Sequence, residues 1–216
     1  MDVSLKTEFL EFCKEVAPEA EFVFMDPKGA IFEECVKMNC FYCGRYGRNW
    51  RCPPNLPNID YPRMFSEYDE GLFVYYNFGV TNQAQFESIR TESSVVLHKA
   101  LLQLEKWFYN HNRSTAISFG AGSCKLCKGG CGKDRCNNPY LSRSPLEATG
   151  VNIVKTAAKF GIEVKFPTED KLMRLGLVMW QEPEKSIGGG GKLKYEIYFY
   201  GCGKRHKITA PYAKAS

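Results

Sequence analysis

Leu72-Phe-Val-Tyr-Tyr-Asn-Phe78 is a nearly unbroken apolar run of strand length. With apolar residues on both parities, it fits a strand in the centre of a sheet covered on its two faces. A long helix is expected directly after it, from about Asn82 to Tyr109. There Phe86, Ile89, Val96, Ala100, Leu101, Leu104 and Phe108 recur near helical period. Upstream, Leu5–Val16 reads as an amphipathic helix with Leu5, Phe9, Phe12 and Val16 on one face. Glu21–Met25 and Ala30–Val36 read as strands joined by the turn Asp26-Pro-Lys-Gly29. Cys40 to Pro62 reads as a loop rich in Pro, Asn and Gly.

Downstream, Ala116–Phe119 reads as a short strand leading through Gly120-Ala-Gly122 into a cysteine-rich stretch. Ser144-Pro-Leu-Glu147 has the form of a capping box with Pro145 at the first helical position. Val151–Phe160 then continues as helix, which Gly161 terminates. Ile162–Phe166, Leu175–Trp180 and Tyr195–Tyr200 complete the strands, with Gly188–Gly191 a flexible connection. The pattern is α+β (or mixed α/β): a mixed sheet flanked by helices, with two cysteine loops at one end. Residues 1–180 read as one metal-binding domain with motifs at 36–54 and 124–139. Residues 181–216 read as a C-terminal strand and basic tail.

At 216 residues, 44% hydrophobic and 25% charged, the composition is globular, and no metal is needed merely to hold a small fold together. The apolar runs are too short to span a bilayer, and the N-terminus is acidic and polar where a secretory signal would be basic and then apolar. A cytoplasmic protein is expected. In that reducing compartment, clustered cysteines point to metal rather than disulfides. Of the ten cysteines, Cys13 and Cys202 stand alone and read as buried or inert thiols.

The second group is Cys124-Lys-Leu-Cys127-Lys-Gly-Gly-Cys131-Gly-Lys-Asp-Arg-Cys136-Asn-Asn-Pro139. A cubane needs ligands around a body larger than one ion, which unequal gaps and a trailing proline suit, as in bacterial ferredoxins. Structural zinc more often draws two close pairs separated by a longer finger. In the first group, Cys40, Cys43 and Cys52 read as three ligands on one loop, stiffened by Pro53 and Pro54. The fourth ligand there is Cys35, or Cys136 crossing over, or no protein group at all. A fully ligated cluster mainly passes electrons, whereas one with a free iron can act on substrate.

The net charge of +5 is mild for a nucleic-acid binder, so nucleic acid is disfavoured, despite Tyr42, Tyr46 and Trp50 interleaved with arginines. Arg45, Arg48 and Arg51 by the first group, and Lys125, Lys128, Lys133 and Arg135 by the second, balance the negative charge of thiolate clusters. His98, His111 and His206 lack metal-protease spacing, and there is no nucleophile elbow.

The pattern Cys40-x2-Cys43-x2-Tyr46-Gly47-x4-Cys52-Pro-Pro54, followed by Cys124-x-Leu126-Cys127-x3-Cys131, Pro139, Ser144, Glu147 and Gly150, resembles a known family. It is the predicted metal-binding family called domain of unknown function twenty-two eighty-four, and the likeness runs from about Val36 to Trp180. The resemblance implies a prokaryotic cytosolic protein, often from anaerobes, with cysteine-bound metal, and carries no particular reaction with it. Three readings follow. The first is an iron–sulfur protein with two [4Fe–4S] clusters, transferring electrons to or from a redox partner. The second is an enzyme or maturation factor using an open-site cluster on three cysteines. The third is a zinc-stabilised binding module.

Overall fold

The computed structural model describes residues 1–164, 170–183, 198–201 and 204–207. The elements of the larger unit, Met1–Pro183, run in chain order as α1 (Val3–Val16), β1 (Glu21–Met25), α2 (Glu34–Phe41), α3 (Tyr61–Ser66), β2 (Glu70–Gly79), α4 (Gln83–Asn110), β3 (Ile117–Phe119), α5 (Ile153–Lys159) and β4 (Lys171–Trp180). The smaller unit, Glu184–Ser216, contains an antiparallel hairpin of β5 (Tyr198–Gly201) and β6 (Lys204–Lys207).

The sheet of the larger unit has the order β1-β2-β4-β3, and all its pairings are antiparallel. The fold is therefore α+β, and the expected mixed sheet is replaced by an antiparallel one. β2 lies between β1 and β4, as its sequence implied, and both its faces are covered. Leu72, Val74 and Tyr76 join Val178 and Trp180 beneath α1 and α4, where Phe9, Leu97, Leu101, Leu104 and Phe108 fill the layer. The opposite parity, Phe73 with Leu175, Leu177 and Met179, packs against Phe65, Leu146, Val151 and Ala157. Alternate side chains of a strand point to opposite faces, so two covered faces demand a run apolar at every position. Phe108 stacks on Trp180 at 4.3 Å between ring centroids, and Phe9 lies 4.7 Å from Trp107, so α1, α4 and β4 meet through aromatics.

Several local expectations hold with small shifts. The Asn82 side chain accepts from the Gln85 N–H and starts α4. Gly161, at φ 80°, follows α5 in the left-handed region that favours glycine. Asp26 caps a 3₁₀ turn at Pro27–Gly29. On α4, however, Val96 is exposed and Leu97 is the buried residue.

Other local expectations are overturned. Ala30–Val36 is not a strand: Phe32 makes only an isolated bridge to Val151, and α2 begins at Glu34. The Cys40–Pro62 region is not all loop, because α2 carries Cys40 and α3 opens at Tyr61 with Asp60 as its cap. The capping box does not form either. Ser144 gives its carbonyl to the Gly120 N–H, and Leu146 donates to the Gly120 carbonyl. That bridge claims the backbone which would have started the helix, leaving a 3₁₀ turn at Leu146–Thr149 with no side-chain cap. Residues 162–164 are not strand. The rest of that expected strand, Gly188–Gly191, residues 195–197 and Cys202 lie outside the described residues.

Candidate metal centre

The second cysteine stretch leaves the sheet at the end of β3 and is fixed at both ends. At its entry, the Gly122 N–H donates to Glu147 Oε1 at 2.9 Å. At its exit, His98 of α4 bonds the Leu141 carbonyl through Nε2 at 2.6 Å, and Glu105 of α4 holds the Arg143 guanidinium in a two-pronged ion pair. Between these anchors the chain turns so tightly that a Cβ at Gly132 would overlap the Arg135 carbonyl and the Asn137 side chain. Only glycine fits there.

Cys124, Cys127, Cys131 and Cys136 all line one cavity of ≈ 300 Å³. Arg45, Arg48, Arg51, Lys125 and Lys128 line it as well, so thiols and cations share its wall. Asn138 Nδ2 donates to the Cys127 sulfur at 3.1 Å, and Cys136 Sγ lies 3.4 Å from Ser142 Oγ. Among the described residues no three His, Cys, Asp or Glu side chains converge closely enough to hold a single metal ion. The four thiols of this group stand around a cavity.

The first stretch is sewn to the second by three consecutive residues. Asn49 Nδ2 donates to the Cys124 carbonyl at 3.1 Å, and Trp50 Nε1 to the Gly132 carbonyl at 2.8 Å. Arg51 donates to Ser142 Oγ at 2.6 Å and to the Pro139 carbonyl at 2.7 Å. Trp50 and Arg51 thus have structural duties at the cavity wall. Tyr42, by contrast, is 77% exposed.

Within the first stretch Cys52 is buried, Cys40 half-buried and Cys43 exposed. Burial pushes the Cys52 thiol up to about 12, with Glu147 the next cause, followed by Cys40, Cys43 and Cys124. Burial likewise pushes Cys40 up to about 11, again with Glu147 next and then Cys43. Cys43 thus acts on Cys40, and Cys40 and Cys43 on Cys52, with Glu147 acting on both Cys40 and Cys52 and Cys124 on Cys52. Cys35 is not among these influences. Its expected strand is helix α2, where five residues rotate it about 140° away from Cys40. It is exposed, with its sulfur 3.6 Å from Glu33 Oε2. Cys136 sits with the second group, where it and Cys131 and Cys127 act on Cys124. Cys13 is buried in α1 with its thiol pushed up to about 12 by burial, as an inert core cysteine would be.

Sequence reasoning passes over Asn49, Asn138 and Ser142, and reads Glu147 only in a capping box and in the family pattern. The clue for Glu147 was a lone carboxylate inside Pro145-Leu-Glu-Ala148, whose other three members are buried. The residue as a whole is half-buried, but its Oε2 is shut in. Burial raises its pKa, and Oε2 has no hydrogen-bond partner.

Among the described residues no helix is long and apolar enough to cross a membrane. No curated protein and no solved structure matches the chain. The family model described as "Predicted metal-binding protein (DUF2284)" matches residues 24–180, which include α2, strands β2 to β4 and both cysteine stretches. With well over half of its length so matched, the chain belongs to the DUF2284 family of predicted metal-binding proteins.

Proposed function

We propose that the protein is an iron–sulfur electron carrier of the cytoplasm with two [4Fe–4S] clusters, one on each cysteine stretch. The observation that carries this reading is the ≈ 300 Å³ cavity walled by all four thiols of the second group and by five cationic side chains. A four-cornered body suits ligands set around a space, while a lone zinc wants its ligands drawn to one point. The cations offset the negative charge of a thiolate-bound cluster, and the Asn138 N–H on Cys127 sulfur does the same locally. The same cationic rim suits docking on an acidic redox protein such as a ferredoxin or flavodoxin, taking one electron from a reduced carrier and passing one on.

The test is iron, zinc and acid-labile sulfide per chain on protein purified without oxygen, with electron paramagnetic resonance of the reduced form. About eight irons and eight sulfides are expected. Two zincs without sulfide would overturn the reading and leave a zinc-stabilised binding module. Electron transfer itself is tested by mixing the reduced protein with oxidised ferredoxin or flavodoxin. No exchange with intact clusters would end the carrier role.

A second reading, an enzyme or maturation factor working through the first cluster, is favoured by one observation. Cys35 is exposed on α2 and Cys136 lines the cavity of the other group, which supports a first centre on the three cysteines Cys40, Cys43 and Cys52. Turnover of a sulfur-containing or metallocofactor substrate, abolished by Cys43→Ala and untouched by Cys35→Ala, would establish it.

A further inference from the structure

Single apolar side chains at a surface are ordinary, whereas several large ones side by side mark an interaction site. Helix α2 buries none of its eight residues, and its last turn leads straight into the first cysteine stretch. On that turn Met38 is 50% and Phe41 53% exposed, Tyr42 is 77% exposed, and Tyr46 is exposed just beyond Cys43. The rings touch one another. Phe41 lies 5.4 Å from Tyr42 and 5.0 Å from Tyr46 between centroids, both edge to face. The backbone holds them there: the Tyr42 N–H donates to the Met38 carbonyl at 3.2 Å and the Tyr46 N–H to the Cys43 carbonyl at 2.9 Å. An aromatic knob is thus interleaved with Cys40 and Cys43.

Its flank is cationic. Arg45 immediately precedes Tyr46, and Arg48 follows two residues after it; both reach the wall of the second group's cavity, beside Lys125 and Lys128. Among the described residues no ion pair reaches any of these four cations. An apolar centre with an arginine-bearing rim is the anatomy of a protein interface. The charge then selects the partner. A second copy of this chain would set the same cations against each other across a two-fold axis, whereas an acidic protein complements them. Stacking of nucleic-acid bases is poorly served, because the rings lie edge to face on one another instead of presenting parallel open faces.

Building on the iron–sulfur reading, we infer that the knob of Met38, Phe41, Tyr42 and Tyr46, flanked by Arg45 and Arg48, is the docking surface for the electron-exchanging partner. That partner is an acidic protein whose carboxylates ring an apolar recess. The rings supply the grip, as buried aromatic anchors do at interfaces, and the cations steer the encounter. Cys43 is exposed among the rings, so a partner seated on the knob covers the first cysteine stretch. The reduced chain gives up one electron and the oxidised partner takes it, with no bond made or broken.

The test uses the full chain, loaded without oxygen, with oxidised flavodoxin as the acidic probe, in three forms: unmodified, Tyr42→Ser and Tyr140→Ser. Tyr140 is 89% exposed and lies outside the knob. The readouts are the dissociation constant, the rate of electron transfer from the reduced chain, and iron and sulfide per chain. Tyr42→Ser is expected to weaken binding at least about fivefold and to slow transfer, with iron and sulfide unchanged. Tyr140→Ser should match the unmodified protein, and added salt should weaken binding of every form. Equal affinity in Tyr42→Ser, the same loss in Tyr140→Ser, or binding indifferent to salt would overturn the assignment. So would Tyr42-dependent binding to single-stranded RNA or to vesicles of anionic lipid, with none to flavodoxin. If Tyr42→Ser loses metal, hydrogen–deuterium exchange of the unmodified pair decides: slowed exchange over residues 38–48 supports the surface, and unchanged exchange there refutes it. Failure of the underlying reading looks different. The unmodified chain would then contain no sulfide, or would bind flavodoxin through Tyr42 without passing an electron.

Discussion

The first cysteine stretch buries Cys52 and half-buries Cys40 beside an acidic side chain, whereas the second sets four part-exposed thiols around a cavity walled with arginine and lysine. The first presents Cys40 near the end of α2 and the second lies outside helix and strand, and Asn49, Trp50 and Arg51 join the two. The difference lies in what surrounds the sulfur. Burial next to a carboxylate disfavours thiolate, while cations and an amide donor favour it. On the proposed iron–sulfur reading, thiols of one kind thus sit in two unlike settings, one that resists thiolate and one that favours it.

The largest effect expected is from Cys127→Ala, which removes a wall of the second cavity. Iron should fall by about half, with the first centre's resonance retained. Loss of both centres would show that the two stretches are one site and erase the comparison. Next, Phe108→Ala empties a fully buried position under Trp180. It should cost about 3–5 kcal/mol in denaturant unfolding while iron per folded chain stays constant. A parallel loss of iron would mean that the core and the cysteine stretches are not separable.

The remaining effects are smaller. Asn138→Ala takes an N–H from the Cys127 sulfur and should lower the potential of the second centre alone, read by a redox titration monitored by resonance. A matching shift in the first centre would contradict the assignment of Asn138 to one site. In metal-free folded protein at pH 8, alkylation mapped by mass should reach exposed Cys35 first. It should reach Cys13 and Cys52 last, since burial pushes both up to about 12 and leaves on the order of 10⁻⁴ of each as thiolate. The smallest effect is at His98, whose pKa burial lowers below 6.5. The folded state then binds fewer protons than the unfolded one, so stability is full above about 6.5 and declines as pH falls toward the depressed value. His98→Gln should flatten that decline in thermal melts, and an unchanged slope would assign it to other groups.

The fold was legible where one physical pattern ruled. Leu72–Phe78 could only be a strand covered on both sides, and the period along α4 left little choice. It was illegible where tertiary contacts outbid a local signal. Ser144–Glu147 has every residue of a capping box, but pairing with Gly120 takes its backbone and the Gly122 amide takes its carboxylate. The strand expected at Ala30–Val36 likewise gives way to helix α2, which presents Cys40 and turns Cys35 aside. The grouping of Cys124, Cys127, Cys131 and Cys136 could be read from spacing. The place of Glu147 could not, because spacing reports chain neighbours and its carboxylate is held by the Gly122 N–H, 25 residues away in the chain.

Cys124 belongs to the second group, yet it is among the charges that raise the thiol of Cys52 in the first. On the proposed iron–sulfur reading, two centres whose sulfurs act on one another would not be charged independently: an electron added at one would raise the electrostatic cost of adding a second at the other. Such a pair would fill in two separated steps, less like two wires than like a small capacitor that accepts its second electron reluctantly and gives it up readily.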